Sequence, residues 1–185
     1  MPSIGYIARM VGELTGRHAT RDPYGLCESL GVRVRLKDLG SGIKAYYFCQ
    51  SRIRNIVVNT RVPEAVRRVL VAHELGHDML HREMATLRGF QEVGLFDTAV
   101  PAEYEANIFA AEVLIEDGRL LELLSDRDRS FFGVARELYV PAALLDFKLR
   151  VLKHKGHRIE APYIAHGGFL KDDMGGCCGS ADGGY

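Results

Sequence analysis

No apolar run in this 185-residue chain approaches the roughly 18 residues that a membrane-spanning helix needs. Nor does Met1 to Leu14 show a basic segment followed by an apolar core, so neither a span nor a signal peptide is expected. Charge of one sign is missing too. The 24 Lys and Arg residues balance 24 Asp and Glu, and no global field draws the chain to nucleic acid or an anionic membrane. Its four cysteines, Cys27, Cys49, Cys177 and Cys178, form no CxxC pair and no spaced framework. That excludes a disulfide scaffold and fits a reducing cytosol. Internal repeats are absent as well. What remains is ordinary: 47% apolar and 26% charged residues, enough for one domain with a sizeable core and a short appendage.

The informative stretch is Val71-Ala72-His73-Glu74-Leu75-Gly76-His77-Asp78-Met79-Leu80-His81. It places His-Glu-x-x-His inside an apolar run that no residue breaks. Val66, Val69, Leu70, His73, His77 and Leu80 follow helical spacing, and Pro63 with Glu64 suits a first turn. Positions four apart share a helix face, so His73 and His77 can offer two imidazoles to one divalent ion. Glu74, about a quarter-turn away, is placed to take a proton from water that such an ion polarises.

Around this helix the spacing predicts an α+β chain. Helices are expected at 3–17 and 22–30, and strands at 32–36, 43–49 and 53–59, the last two joined as a hairpin at Gln50-Ser51-Arg52. A helix follows from Val62 to about Glu83, then a loop over 84–100 that could flank a cleft. The next helix opens at Pro101 and runs to about Asp117, with Gly118 as its stop. Short helices follow at 120–124, 131–138 and 141–153. The domain reading is 1–118 as a catalytic unit, 119–155 as a helical extension packed on it, and 156–185 as an irregular, glycine-rich tail.

A catalytic zinc site takes three protein ligands and keeps one open position. A histidine six residues after His77 would be one solution, but that position is Glu83. His81 lies two turns from His73, about 12 Å along a straight helix, and reads as a cleft-wall, supporting or core residue. That leaves Glu103 and Glu105 on the next helix, about 200° apart around its axis. Glu103 shares a face with Asn107, Ala110 and Leu114, which suits packing on the active helix. Glu105 shares one with Phe109, Glu112 and Glu116, a mostly solvent-like set. Glu103 is therefore expected as the third ligand, and Asn107 as the acceptor of a hydrogen bond from a ligating imidazole.

The pieces "NIVVNT", "RRVLVAHELGHDMLH" and "EYEANIFAAEVLI" together resemble the ImmA/IrrE metallo-endopeptidases over roughly residues 25–118. The resemblance implies a small zincin-like domain with a short sheet packed on the HExxH helix. It implies one catalytic Zn2+ ion, with Mn2+ as an alternative, on His73, His77 and Glu103, and Glu74 as base. It also implies a cytoplasmic protein whose partner is a helix-turn-helix repressor, cleaved to switch on mobile-element or stress genes. One departure is Leu114-Ile115-Glu116-Asp117, where the family helix commonly ends in Leu-Leu-Met-Pro. Residues 132–150 themselves have a helix-turn-helix cadence, with Lys148, Arg150, Lys153 and Lys155 basic. Asp146 and many apolar residues on the second helix favour packing or repressor holding over reading DNA. Tyr46, Tyr47, Tyr104, Tyr139, His81 and His166 remain open as donors to a developing oxyanion. Two other readings stay in view: a regulatory module that binds DNA or a repressor without cutting it, and a metal-dependent amidase acting on a small substrate.

Overall fold

The computed structural model describes residues 2–82, 101–126 and 128–159. The expected loop at 84–100, His166, the Cys177–Cys178 pair and the tail beyond residue 159 lie outside them. Helix α1 (Ile4–His18) is capped by Ser3, whose hydroxyl accepts from the Tyr6 N–H, and buries Ile7, Val11 and Leu14. Helix α2 (Pro23–Ser29) is capped by Asp22 with Pro23 in its first turn. Strands β1 (Arg33–Lys37), β2 (Ala45–Gln50) and β3 (Ile53–Asn59) form one sheet in the order β1-β3-β2. β1 runs parallel to β3 and β2 antiparallel. The hairpin is closed by Ser51 and Arg52, both at positive φ (51° and 65°), as a two-residue turn between the paired Gln50 and Ile53 requires.

Helix α3 (Glu64–Leu80) carries the HExxH motif and packs on β2 and β3. Helix α4 (Pro101–Leu114) packs along α3, with α1 and the last helix on its other sides. Then come α5 (Asp117–Ser125), α6 (Phe131–Glu137) and α7 (Ala142–His154). The fold is thus α+β, a small three-stranded sheet with helices, and it accommodates a zincin-like site. Two boundaries differ from expectation. α4 ends at Leu114, and Gly118 stops nothing, because it lies inside the first turn of α5. Asp117, not glycine chemistry, organises that corner through the lysines described below.

α4 also contradicts the expected solvent-like face. Glu105, Phe109 and Glu112 are all buried, and only Glu116 of that set is open. The reason is position: a helix enclosed by three others has no solvent side, and each buried glutamate has basic or imidazole neighbours instead. α3 and α4 come close together at Gly76. A Cβ there would meet the Phe109 Cβ at 3.1 Å and the Ala106 Cα at 3.2 Å. A residue without a side chain lets the two helices come near enough for α4 to reach the histidines.

Helix α7, the recognition helix of the helix-turn-helix cadence, is buried over most of its circumference from Leu144 to Leu152. Lys148 is wholly enclosed, with its ammonium 2.8 Å from Glu112 and 2.6 Å from Asp117. Lys155 joins the same two carboxylates, and Arg150 pairs with Asp146. These charges face inward or along the chain's own helix.

Candidate metal centre

His73 and His77 project from one face of α3 because they are four residues apart, and their Nε2 atoms lie 3.2 Å from each other. Glu103, from the first turn of α4, meets both: Oε2 is 3.2 Å from His73 Nε2 and Oε1 is 3.4 Å from His77 Nε2. One donor atom from each of the three lies within 4.8 Å of the others. Asn107, one turn along α4, sits behind His73 with Oδ1 2.9 Å from Nδ1. An amide oxygen only accepts, so His73 carries its proton on Nδ1 and turns a bare Nε2 toward Glu103.

That tautomer makes the cluster chemically incomplete. A bare imidazole nitrogen faces carboxylate oxygens, lone pair against lone pair, in a buried place. Burial raises the Glu103 carboxyl, and only imidazoles that donate to it hold it at about 2, a support that bare ring nitrogens withhold. The Glu103 Oε2 atom has no hydrogen-bond partner. Two nitrogens and one carboxylate oxygen are the donor set of an open zinc site, so these residues fit a divalent ion.

Glu74 is fully buried beside them, and neither carboxyl oxygen has a hydrogen-bond partner. Burial pushes its carboxyl up to about 7, with His77 pulling the other way and the Glu103 charge adding to the rise. The main-chain N–H of Tyr47 is near enough to lower it slightly without meeting hydrogen-bond geometry, which places the free side of β2 next to the site. The register explains why. Asn59 N–H bonds to Lys44 C=O, so residues 44, 46 and 48 turn their polar backbone groups to β3. Ala45, Tyr47 and Cys49 then turn theirs outward, along an edge that no strand among the described residues pairs with.

Two buried acids that sequence reasoning passed over support this arrangement. Asp78, next to His77, accepts from the Tyr47 hydroxyl (2.7 Å) and pairs with Arg54 (2.8 Å) and Arg82 (3.2 Å). Arg54 also bonds the Leu30 carbonyl, so Asp78 fastens α3 to β2, β3 and the end of α2. A charged residue inside an apolar helical run was the available signal. Glu105 is the second: its Oε2 lies 2.9 Å from His81 Nε2. Burial lowers the His81 imidazole from its ordinary value, which favours the neutral ring.

Of the open oxyanion donors, Tyr104 stacks edge-on against Phe147 of α7, and Tyr139 points its hydroxyl at Glu64, at the far end of α3. Tyr46 lies against Phe48, on the strand face opposite Tyr47. The Tyr47 hydroxyl and the His81 ring are each engaged with a carboxylate.

With this geometry in view, residues 27–150 match the family model of the IrrE N-terminal-like domain. The match extends past α4 into α7, well beyond the motifs that carried the resemblance. An uncharacterized immunity region protein of Bacillus phage phi105 is 32% identical over 111 residues, covering 60% of this chain and 69% of that protein. The metallopeptidase ImmA of Bacillus subtilis strain 168 is 24% identical over 161 residues, covering 86% and 93%.

Proposed function

The chain belongs to the IrrE N-terminal-like family of metallopeptidases, and from that premise we propose that it is an endopeptidase that cleaves a helix-turn-helix repressor. The observation that carries the chemistry is the convergence of His73, His77 and Glu103 beside a buried, unpartnered Glu74. In this reading His73, His77 and Glu103 hold one divalent ion, zinc by the donor set. When bound, the ion supplies Lewis acidity to a carbonyl and to water.

The remaining work falls to the chain's own residues. Glu74 accepts the proton of the attacking water at a carboxylate oxygen and delivers it to the leaving amine. A carboxyl whose ordinary range is raised by burial is suited to both steps, and the added positive charge of an ion keeps it ionised beforehand. Asn107 holds the His73 ring through its Nδ1–H. The outward N–H and C=O groups of Ala45, Tyr47 and Cys49 pair with an extended substrate segment, laying it beside Glu74 as an added strand. Asp78 holds that edge in place through Tyr47.

A phage relative named for an immunity region and a relative named ImmA support a regulator of a mobile element as the target. The enclosed Lys148 and the Arg150–Asp146 pair along α7 support a packing or repressor-holding role for the C-terminal helices over DNA reading. The test is to incubate the zinc-loaded protein with the repressor encoded nearest its gene and to weigh the products. Discrete peptide fragments, absent with Glu74→Gln, are expected. An intact repressor bound without cleavage would favour the regulatory module.

A further inference from the structure

The two imidazoles of the cluster are backed in different ways. His73 rests on the neutral amide of Asn107. His77 instead has its Nδ1 3.2 Å from His81 Nδ1, and His81 Nε2 is 2.9 Å from Glu105. His73 is 1% exposed along its side chain and His77 12%, so the ring at the opening, with less packing around it, has the longer chain behind it.

We infer that His81 and Glu105 are positioning residues for His77, a hydrogen-bonded relay that holds its ring in one tautomer and strengthens it as an electron-pair donor to the ion. The inference rests on the metal reading above. The Nε2 of His77 faces Glu103 and His73, so a ligating His77 carries its proton on Nδ1, which then donates. His81 Nδ1 must accept and is bare. Its own proton therefore sits on Nε2 and points at the Glu105 carboxylate. A single assignment satisfies all three residues. The opposite tautomer of His81 would set two N–H groups against each other and a bare nitrogen against an oxygen.

Backbone geometry makes this possible. α3 ends at Leu80, and His81 leaves the helix at φ −131°, ψ 22° while its N–H still bonds the His77 carbonyl at 2.9 Å. Its ring thus comes to lie beside His77, within 5.3 Å between ring centres. From α4, Glu105 reaches the far nitrogen while Glu103 reaches the metal cluster. One turn of helix serves both the inner and the outer layer of the site, as carboxylate–histidine–metal arrangements elsewhere use one carboxylate directly.

The test uses the full chain with zinc alone. Long-range proton–nitrogen correlation on the zinc-loaded protein should show His77 protonated at Nδ1 and His81 at Nε2; a His81 protonated at Nδ1 would overturn the relay. Competition with a chromophoric chelator should show zinc held about 10- to 100-fold more weakly by His81→Phe and Glu105→Gln. A merely structural staple would lower the melting temperature of the metal-free variants and leave zinc affinity within about twofold of wild type. That result would also overturn the relay, with the metal site intact. Wild type that binds no zinc would remove the metal reading and the relay together. Should His81→Phe not fold, the tautomer measurement on wild type still decides.

Discussion

Helix α4 carries two buried acidic clusters, and they are completed in opposite ways. Toward its C-terminal end, Glu112 meets Lys148 and Lys155, with Asp117 closing the group. Burial pulls the Lys148 ammonium down, and the two carboxylates only partly restore it. Toward its N-terminal end, Glu103 and Glu105 meet three imidazoles and, among the described residues, no lysine or arginine. Glu103, Glu105 and Glu112 are comparably hidden, at 8%, 5% and 6% exposure. The difference is therefore not burial but the source of the cation. One cluster has its positive charge built into the chain. The other turns lone pairs toward one point, a donor set that fits a divalent cation.

The largest effect that separates the two is on chemistry. Glu74→Gln should keep one ion per chain and lose cleavage by about 10^3- to 10^4-fold, read from product formed per minute at saturating zinc. A variant that still cut would remove Glu74 from its role. Next is the built-in cation: Lys148→Met should cost about 3 kcal/mol in denaturant unfolding, near the low end for a broken buried pair because Lys155 remains. Zinc stoichiometry should not change, and if it did the two clusters would not be independent.

A third effect is a pH dependence confined to the metal-free protein. The Glu74 carboxyl is raised from 4.5 to about 7 in the folded chain. Its contribution to stability is thus fully present below about pH 4.5 and is lost as pH rises through about 7, a fall of about 3 kcal/mol. Glu74→Gln should flatten that fall relative to wild type; parallel curves would mean Glu74 is not the buried acid it appears in this fold. Smallest is Gly76→Ala. The added methyl presses on Phe109 and Ala106, costs about 1–3 kcal/mol, and by parting α3 from α4 should weaken zinc binding more than it lowers stability.

Local spacing carried the inner half of the site into the sequence. His73, His77 and Glu74 lie on one helix, where a period of 3.6 residues determines which side chains meet. Glu103 falls against those histidines as its helix face predicts. Glu105 and Glu112, on the face expected to be solvent-like, are both buried, because burial of α4 depends on which helices enclose it. Their neighbours, His81, Lys148 and Lys155, come from α3's end and from α7, at separations no periodicity links. His81, expected as a supporting residue because it lies two turns from His73, does stand beside His77, four residues before it, as helical spacing allows; its contact with Glu105 is the part that no spacing shows. The Tyr47–Asp78 contact is illegible for the same reason: strand register, not sequence distance, joins them. The edge strand could be named only once β3 was seen at the centre of the sheet.

The most direct measurement is tightly bound metal per chain in wild type, Glu103→Ala and Glu105→Ala after zinc loading and desalting. About one ion in wild type, none with Glu103→Ala and a weaker but present site with Glu105→Ala is the predicted result. Wild type that holds no ion, or an ion kept by Glu103→Ala and lost by Glu105→Ala, would contradict the account.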